Sequence, residues 1–282
     1  VTNAIVAAIA PEIDKMERGR AERKPPDSLD AWSLYQRGLV AYHATTRESL
    51  VHATELFDRV NDLDPRFAPA FAMAADARVR SYLFFAEDRD VLDLAAEKAR
   101  TGVALDVHDP VCHLADGRVN SFLRRHEIAI GRAEEAVRLN PSSSMTHHAL
   151  GFVLARAGRS EEGIIHEERA VELGPRDIFL PGYLGFGACM LFDLKRYEEA
   201  LNWGRRGCNS VNPRPPNFAF VVACLVLLNR NSEVAAAVVE MQTRSSLNSI
   251  QKLGEQLTRA LPLRAETLLE FSEALRQAGV PE

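Results

Sequence analysis

Apolar residues recur at spacings of three and four through most of the 282-residue chain, the period of helices with one buried face. In HALGFVLARAGRSEEGIIHEERAVELGP, from His148 to Pro175, the residues Leu150, Val153, Leu154 and Ala157 form one such stripe. Gly158 follows, a residue that readily takes the left-handed conformation closing a helix. Ser160 stands where a cap of the next helix is expected, and Glu161 and Glu162 fall in that helix's first turn, where carboxylates suit the positive end of the dipole. Ile164, Ala170, Val171 and Leu173 make a second stripe, which stops before Gly174-Pro175. The pattern predicts a helical hairpin.

The hairpin repeats. Gly117 and Gly151, Ala136 and Ala170, and Pro141 and Pro175 are each separated by 34 residues. Small residues are needed where the two helices of a hairpin approach closely, and large apolar residues fill the space between hairpins. A 34-residue helix-turn-helix period with these markers is the signature of tetratricopeptide (TPR) repeats. Looser copies begin at Trp32, at Phe71, at Tyr183-Leu184-Gly185 and in FAFVVACLVLLNRNSEVAAAVVEM. The first copy runs long, and YHATTRESLV is read as an insertion between its helices. The predicted fold is all-α: a right-handed superhelix, or solenoid, of about six TPR-like hairpins with extra helices at both ends. The domain reading is an N-terminal helix over 1–24, the array over 25–243 and C-terminal capping helices over 244–282. Pro25-Pro26 cannot continue the first helix, whose apolar stripe is Ile5, Ile9 and Ile13.

RKPPDSLDAWSLYQRGLVAY, followed by ATELFDRVNDLDPRFAPAFA and ending in LRQAGVPE, resembles the TPR region of bacterial class III adenylate/guanylate cyclases and related winged-helix regulators. VTNAIVAAIAPEI is similar to the last helix of the TolB-like segment that precedes such regions. The resemblance implies a regulatory, partner-binding segment of a bacterial signalling protein, attached to a nucleotide cyclase or, alternatively, assembling the two halves of a cyclase or DNA-binding regulator as a homodimer. The cyclase's paired metal-binding aspartates are not found in these residues. The chain opens without an initiator methionine or a basic-then-apolar signal, and reads as a piece of a longer, cytoplasmic protein.

Composition narrows the function classes. A net charge of −5 and a pI near 6.0 do not fit the basic face that nucleic acid requires. FAFVVACLVLL, from Phe218 to Leu228, is shorter than the roughly 20 residues that span a bilayer and reads as a buried helix. Cys112, Cys189, Cys208 and Cys224 are widely spaced and read as reduced, packed thiols.

Catalytic and cofactor motifs are lacking: there is no phosphate loop, nucleophile elbow or His-Glu-x-x-His, and no cofactor or metal is expected. Gly185-x-Gly187 reads as close helix packing. His113 and His147 occupy equivalent places in successive repeats, too far apart to share a zinc ion. The pairs Glu161-Glu162, Glu167-Glu168 and Glu198-Glu199 read as a solvated outer face. Asp116 replaces the leucine that Leu150 and Leu184 supply before the glycine, and needs a partner or an opening in the packing.

The expected ligand is a protein or peptide held in the concave groove lined by the first helix of each hairpin. In register, that face carries Asp76 and Arg80, then Arg118 and Phe122, then His148, Phe152 and Arg156, then Phe179, Phe186 and Met190. Rings beside arginines suit a segment with both apolar and acidic side chains. The competing reading packs these rings between neighbouring helices and leaves the arginines merely solvated.

Overall fold

The computed structural model describes residues 29–261 and 263–282. The expected helix over 1–24 and the Pro25-Pro26 boundary lie outside the described residues. Among these residues fourteen helices follow one another without a strand, so the chain is an all-α helical repeat. It divides into two compact units, Val1–Val153 and Leu154–Glu282.

In the first unit, α1 (Leu29–Ala44) packs on α2 (Arg47–Leu63), α3 (Ala68–Phe85) on α4 (Val91–Leu105), and α5 (Pro110–Phe122) on α6 (His126–Leu139). Each hairpin also packs on the next, α2 against α3 and α4 against α5. The unit boundary falls inside α7 (Ser144–Arg156), which a short turn joins to α8 (Ser160–Leu173). The second unit continues with the hairpins α9 (Leu180–Asp193) with α10 (Tyr197–Cys208), and α11 (Pro215–Leu227) with α12 (Asn231–Arg244). It ends with α13 (Ile250–Ala260) and α14 (Ala265–Gln277), which pack on each other and on α11. The Phe218–Leu228 run is α11, buried from Asn217 to Leu225. Among the described residues no helix is long and apolar enough to cross a membrane.

The expected insertion in the first hairpin is absent. Thr45 and Thr46 alone separate α1 from α2, and the extra residues lengthen the two helices to 16 and 17 residues. Thr46 and Ser49 form a reciprocal capping box that starts α2 cleanly, satisfying two backbone donors without a loop.

One turn recurs where a first helix meets its second. Arg124, Gly158, Lys195 and Asn229 each adopt positive φ. The next residue's N–H closes back on a carbonyl five residues earlier: Arg125 to Asn120, Arg159 to Leu154, Arg196 to Leu191 and Arg230 to Leu225, at 2.8–2.9 Å. This is a Schellman closure. The arginine then stands at the cap position of the next helix, so Ser160 is the first residue of α8 rather than its cap. Arg159 and Arg196 reach forward to Glu162 and Glu199 in their own first turns. The outward reading of the acidic pairs holds for Glu161, Glu162, Glu168, Glu198 and Glu199 but not for Glu167, whose residue is fully buried.

The glycines mark where helices meet. A Cβ on Gly117 would stand 3.0 Å from the Ala129 carbonyl oxygen, and one on Gly187 would overlap the Trp203 ring. One on Gly207 would lie 2.4 Å from Cγ of Asn217, a fully buried residue that donates to the Pro181 carbonyl at 3.1 Å. The Gly185-x-Gly187 pair is therefore packing.

Two stability measurements follow from this geometry. Gly207→Ala should cost about 1–3 kcal/mol in denaturant unfolding, because Asn217 has no room to retreat. Arg124→Gly should instead gain about 1 kcal/mol by removing a side chain from the left-handed region. An unchanged midpoint for either variant would contradict the corresponding backbone reading.

Candidate functional site

The residues expected on the first-helix face divide between the two units. In the first, Asp76 lies on α3 and Arg118 on α5, at matching steps of successive first helices. Arg118 Nη1 donates to Asp76 Oδ1 at 2.5 Å, and the Tyr42 hydroxyl on α1 donates to Oδ2 of the same carboxylate. Asp76 and Arg118 are 2% and 7% exposed, so this is a buried ion pair between two hairpins, braced by a hydroxyl from a third. Burial alone would weaken the Arg118 charge, yet Asp76 and Tyr42 more than offset it and its pKa lies above the usual arginine value. Burial pushes the Tyr42 phenol upward, and it remains a neutral donor.

Arg80, one turn beyond Asp76, lays its guanidinium over the Tyr42 ring at 4.4 Å and is half-buried. Phe122 packs against Phe152 with centroids 5.9 Å apart, while Tyr82 meets Phe122 edge-on and His148 meets Phe152. His148 is held well below the usual histidine pKa by burial first and then by Arg118 and Arg80. It is neutral at physiological pH. His148 therefore adds no charge beside Arg80, Arg118 and Asp76.

The sequence reading placed these side chains on the right helices but overstated their exposure. Phe122, Phe152 and His148 are buried, as the competing packing reading has it, whereas Arg80 and Tyr82 keep part of their surface. Tyr42 and Tyr82 were missed; the 34-residue step from Tyr42 to Asp76 was the available signal.

In the second unit, Arg156 donates from Nη1 to the carbonyls of Arg259 and Ala260 at 2.8 and 2.5 Å, holding the C-terminal end of α13. Phe179 is buried at the start of α9, Met190 is fully buried, and Phe186 is half-buried. These positions serve packing in this unit.

The remaining candidates are structural. Asp116 does not open the packing. Its Oδ2 meets Arg132 Nε at 2.8 Å on the neighbouring helix α6, and Asn120 donates to it from one turn on. Burial raises its pKa, opposed by Arg132 and Asn120. His113 and His147 do play equivalent parts: each ring Nε2 binds the carbonyl six residues earlier, Val107 at 2.9 Å and Pro141 at 3.1 Å, tying the helix to the preceding turn. Among the described residues no three histidine, cysteine or carboxylate side chains converge on a metal position. The four cysteines are free and buried, and burial raises every thiol pKa, which keeps them unreactive.

No protein-family model and no curated protein matches the sequence. Solved structures do match in fold. The pilF protein of Pseudomonas aeruginosa is similar over 88% of this chain and 97% of its own, with a TM-score of 0.56 at 18% identity. The TPR protein TTC0263 of Thermus thermophilus matches 74% of this chain and 99% of its own, with a TM-score of 0.56 at 17% identity. A chain of the APC/C hetero-tetramer Cut9-Hcn1 matches 82% of this chain and 46% of its own, with a TM-score of 0.59 at 17% identity. The fold is that of TPR proteins.

Removing one member of the buried pair should cost far more than removing its supporting hydroxyl. Asp76→Ala leaves Arg118 buried without its carboxylate and should lose about 3–5 kcal/mol, whereas Tyr42→Phe should lose about 1 kcal/mol. Equal losses in denaturant unfolding would show that the charge pair does not organise this face.

Proposed function

We propose that this chain is a non-enzymatic protein-interaction scaffold whose first-helix face in the first unit recognises a protein or peptide segment bearing acidic and apolar side chains. The observation that carries the reading is the cluster of Asp76, Arg80 and Arg118 on successive first helices, with guanidinium groups set beside the rings of Tyr42, Tyr82, Phe122 and Phe152. A guanidinium fork matches a carboxylate in geometry as well as charge, and aromatic surface supplies apolar contact area beside it. The buried Asp76–Arg118 pair fixes the face, and the half-buried Arg80 and Tyr82 keep part of their surface on it.

The setting we favour is a regulatory segment of a bacterial nucleotide cyclase. What supports it is the likeness of Arg23–Tyr42, Ala53–Ala72 and Leu275–Glu282 to the TPR regions of those enzymes. A partner would then act on the output domain through the array, and the segment itself would carry no turnover.

The test targets the two half-buried side chains. Arg80→Gln and Tyr82→Ala, introduced together, should keep the helical circular dichroism spectrum and weaken partner capture by about tenfold or more. Retention of every partner by a folded double variant would remove this face as the recognition site.

A further inference from the structure

The C-terminal helices do not extend the stack from its last hairpin. Val239 on α12 stays exposed, as do Ala235 and Ala236. The chain instead turns at the segment Ser245–Ser249 and lays α13 and α14 on α11, the first helix of the last hairpin. A backbone bond from Ile250 N to the Pro281 carbonyl, at 2.8 Å, ties the two ends of this pair together.

The contact made by α14 has the anatomy of a protein–protein interface. At its centre one aromatic anchor, Phe271, is fully buried and meets the rings of Phe220 at 5.0 Å and Phe192 at 5.7 Å. Around it lies a charged rim. Glu270 accepts from the Tyr197 hydroxyl at 2.8 Å and pairs with Lys195. Arg264 pairs with Asp193 at 3.1 Å, and Thr267 donates to the same carboxylate at 2.7 Å. A buried aromatic hot spot inside a ring of partly exposed ion pairs is how separate chains recognise each other. A helix read this way presents an acidic residue followed directly by phenylalanine, with its apolar face laid into a groove.

We propose that the surface formed by the C-terminal end of α9, the start of α10 and α11 is a helix-binding site occupied in cis by α14, and that its ligand in trans is an amphipathic helix of a partner protein carrying the same acid–phenylalanine pair. The cis helix is the competitor that such a partner displaces. This surface is distinct from the Asp76–Arg118 face of the first unit, and either assignment can fail without the other.

The experiment uses the whole chain and a labelled peptide of residues 264–282 as the probe. In wild type, hydrogen exchange should show the α13 and α14 amides opening well before those of α9 and α11, and the peptide should bind weakly because the site is filled. A chain carrying Glu270→Lys and Phe271→Ala should keep its other helices and bind the peptide at least about tenfold more tightly than wild type. Adding Lys195→Glu should abolish that gain, and a peptide with Glu270→Lys should restore it. Exchange of α14 only together with α9 and α11, loss of the whole fold in the double variant, or a folded double variant that ignores the peptide would each overturn the proposal. So would sedimentation showing a wild-type dimer that Phe271→Ala abolishes, since the occupant would then be a second copy of the chain.

Discussion

No hairpin in this chain can bury its own apolar face. Two helices of about four turns cover one side of each other and leave the other side wet, so each hairpin is stable only against the next. That need for contact on both sides explains why glycine or alanine stands where helices cross. At Gly117 a carbonyl oxygen of the partner helix already lies within 3.0 Å of the place a Cβ would take. It also explains why terminal helices differ from the repeats they close.

The need for stacking made the fold legible. Gly117 and Gly151, Ala136 and Ala170, and Pro141 and Pro175 keep a common 34-residue step because each holds a contact that every copy must repeat. The hairpin turns were less visible. Gly158 and, more weakly, Asn229 announce their left-handed backbone, whereas Arg124 and Lys195 adopt it against their intrinsic preference. The Schellman hydrogen bonds and the packing on either side of the turn override local propensity there. The first hairpin misled for a related reason: extra residues can lengthen two helices as easily as they can form a loop, and periodicity alone does not separate the cases.

The helices that carry the candidate residues were legible, but the exposure of those residues was not. Arg118, Phe152 and Phe186 each follow the small residue of a first helix, at Gly117, Gly151 and Gly185, so register alone assigns them to one ladder. Whether a side chain on that ladder faces ligand or its neighbour depends on how closely adjacent hairpins approach, which spacing does not encode. Phe152 is consequently 2% exposed. Arg156 could not have been assigned by register at all, because its carbonyl partners lie 103 and 104 residues away.

Polar side chains inside the stack follow one rule. Burying a charge between apolar helices is costly unless an opposite charge meets it there. Each buried aspartate of the first helices has such a partner on another element: Asp76 with Arg118 on the next first helix, Asp116 with Arg132 on its own second helix, and Asp193 with Arg264 at the start of α14. The three pairs stabilise different joints, one between hairpins, one within a hairpin and one between the array and its C-terminal helices. The first two use carboxylates that are 2% exposed, so breaking either leaves an uncompensated charge. The third draws on Arg264, whose side chain is 58% exposed and loses little hydration when it lets go. At the joint to α14 the ion pair is thus the exposed part, and the fully buried Phe271 ring supplies the apolar contact that holds the helix in place.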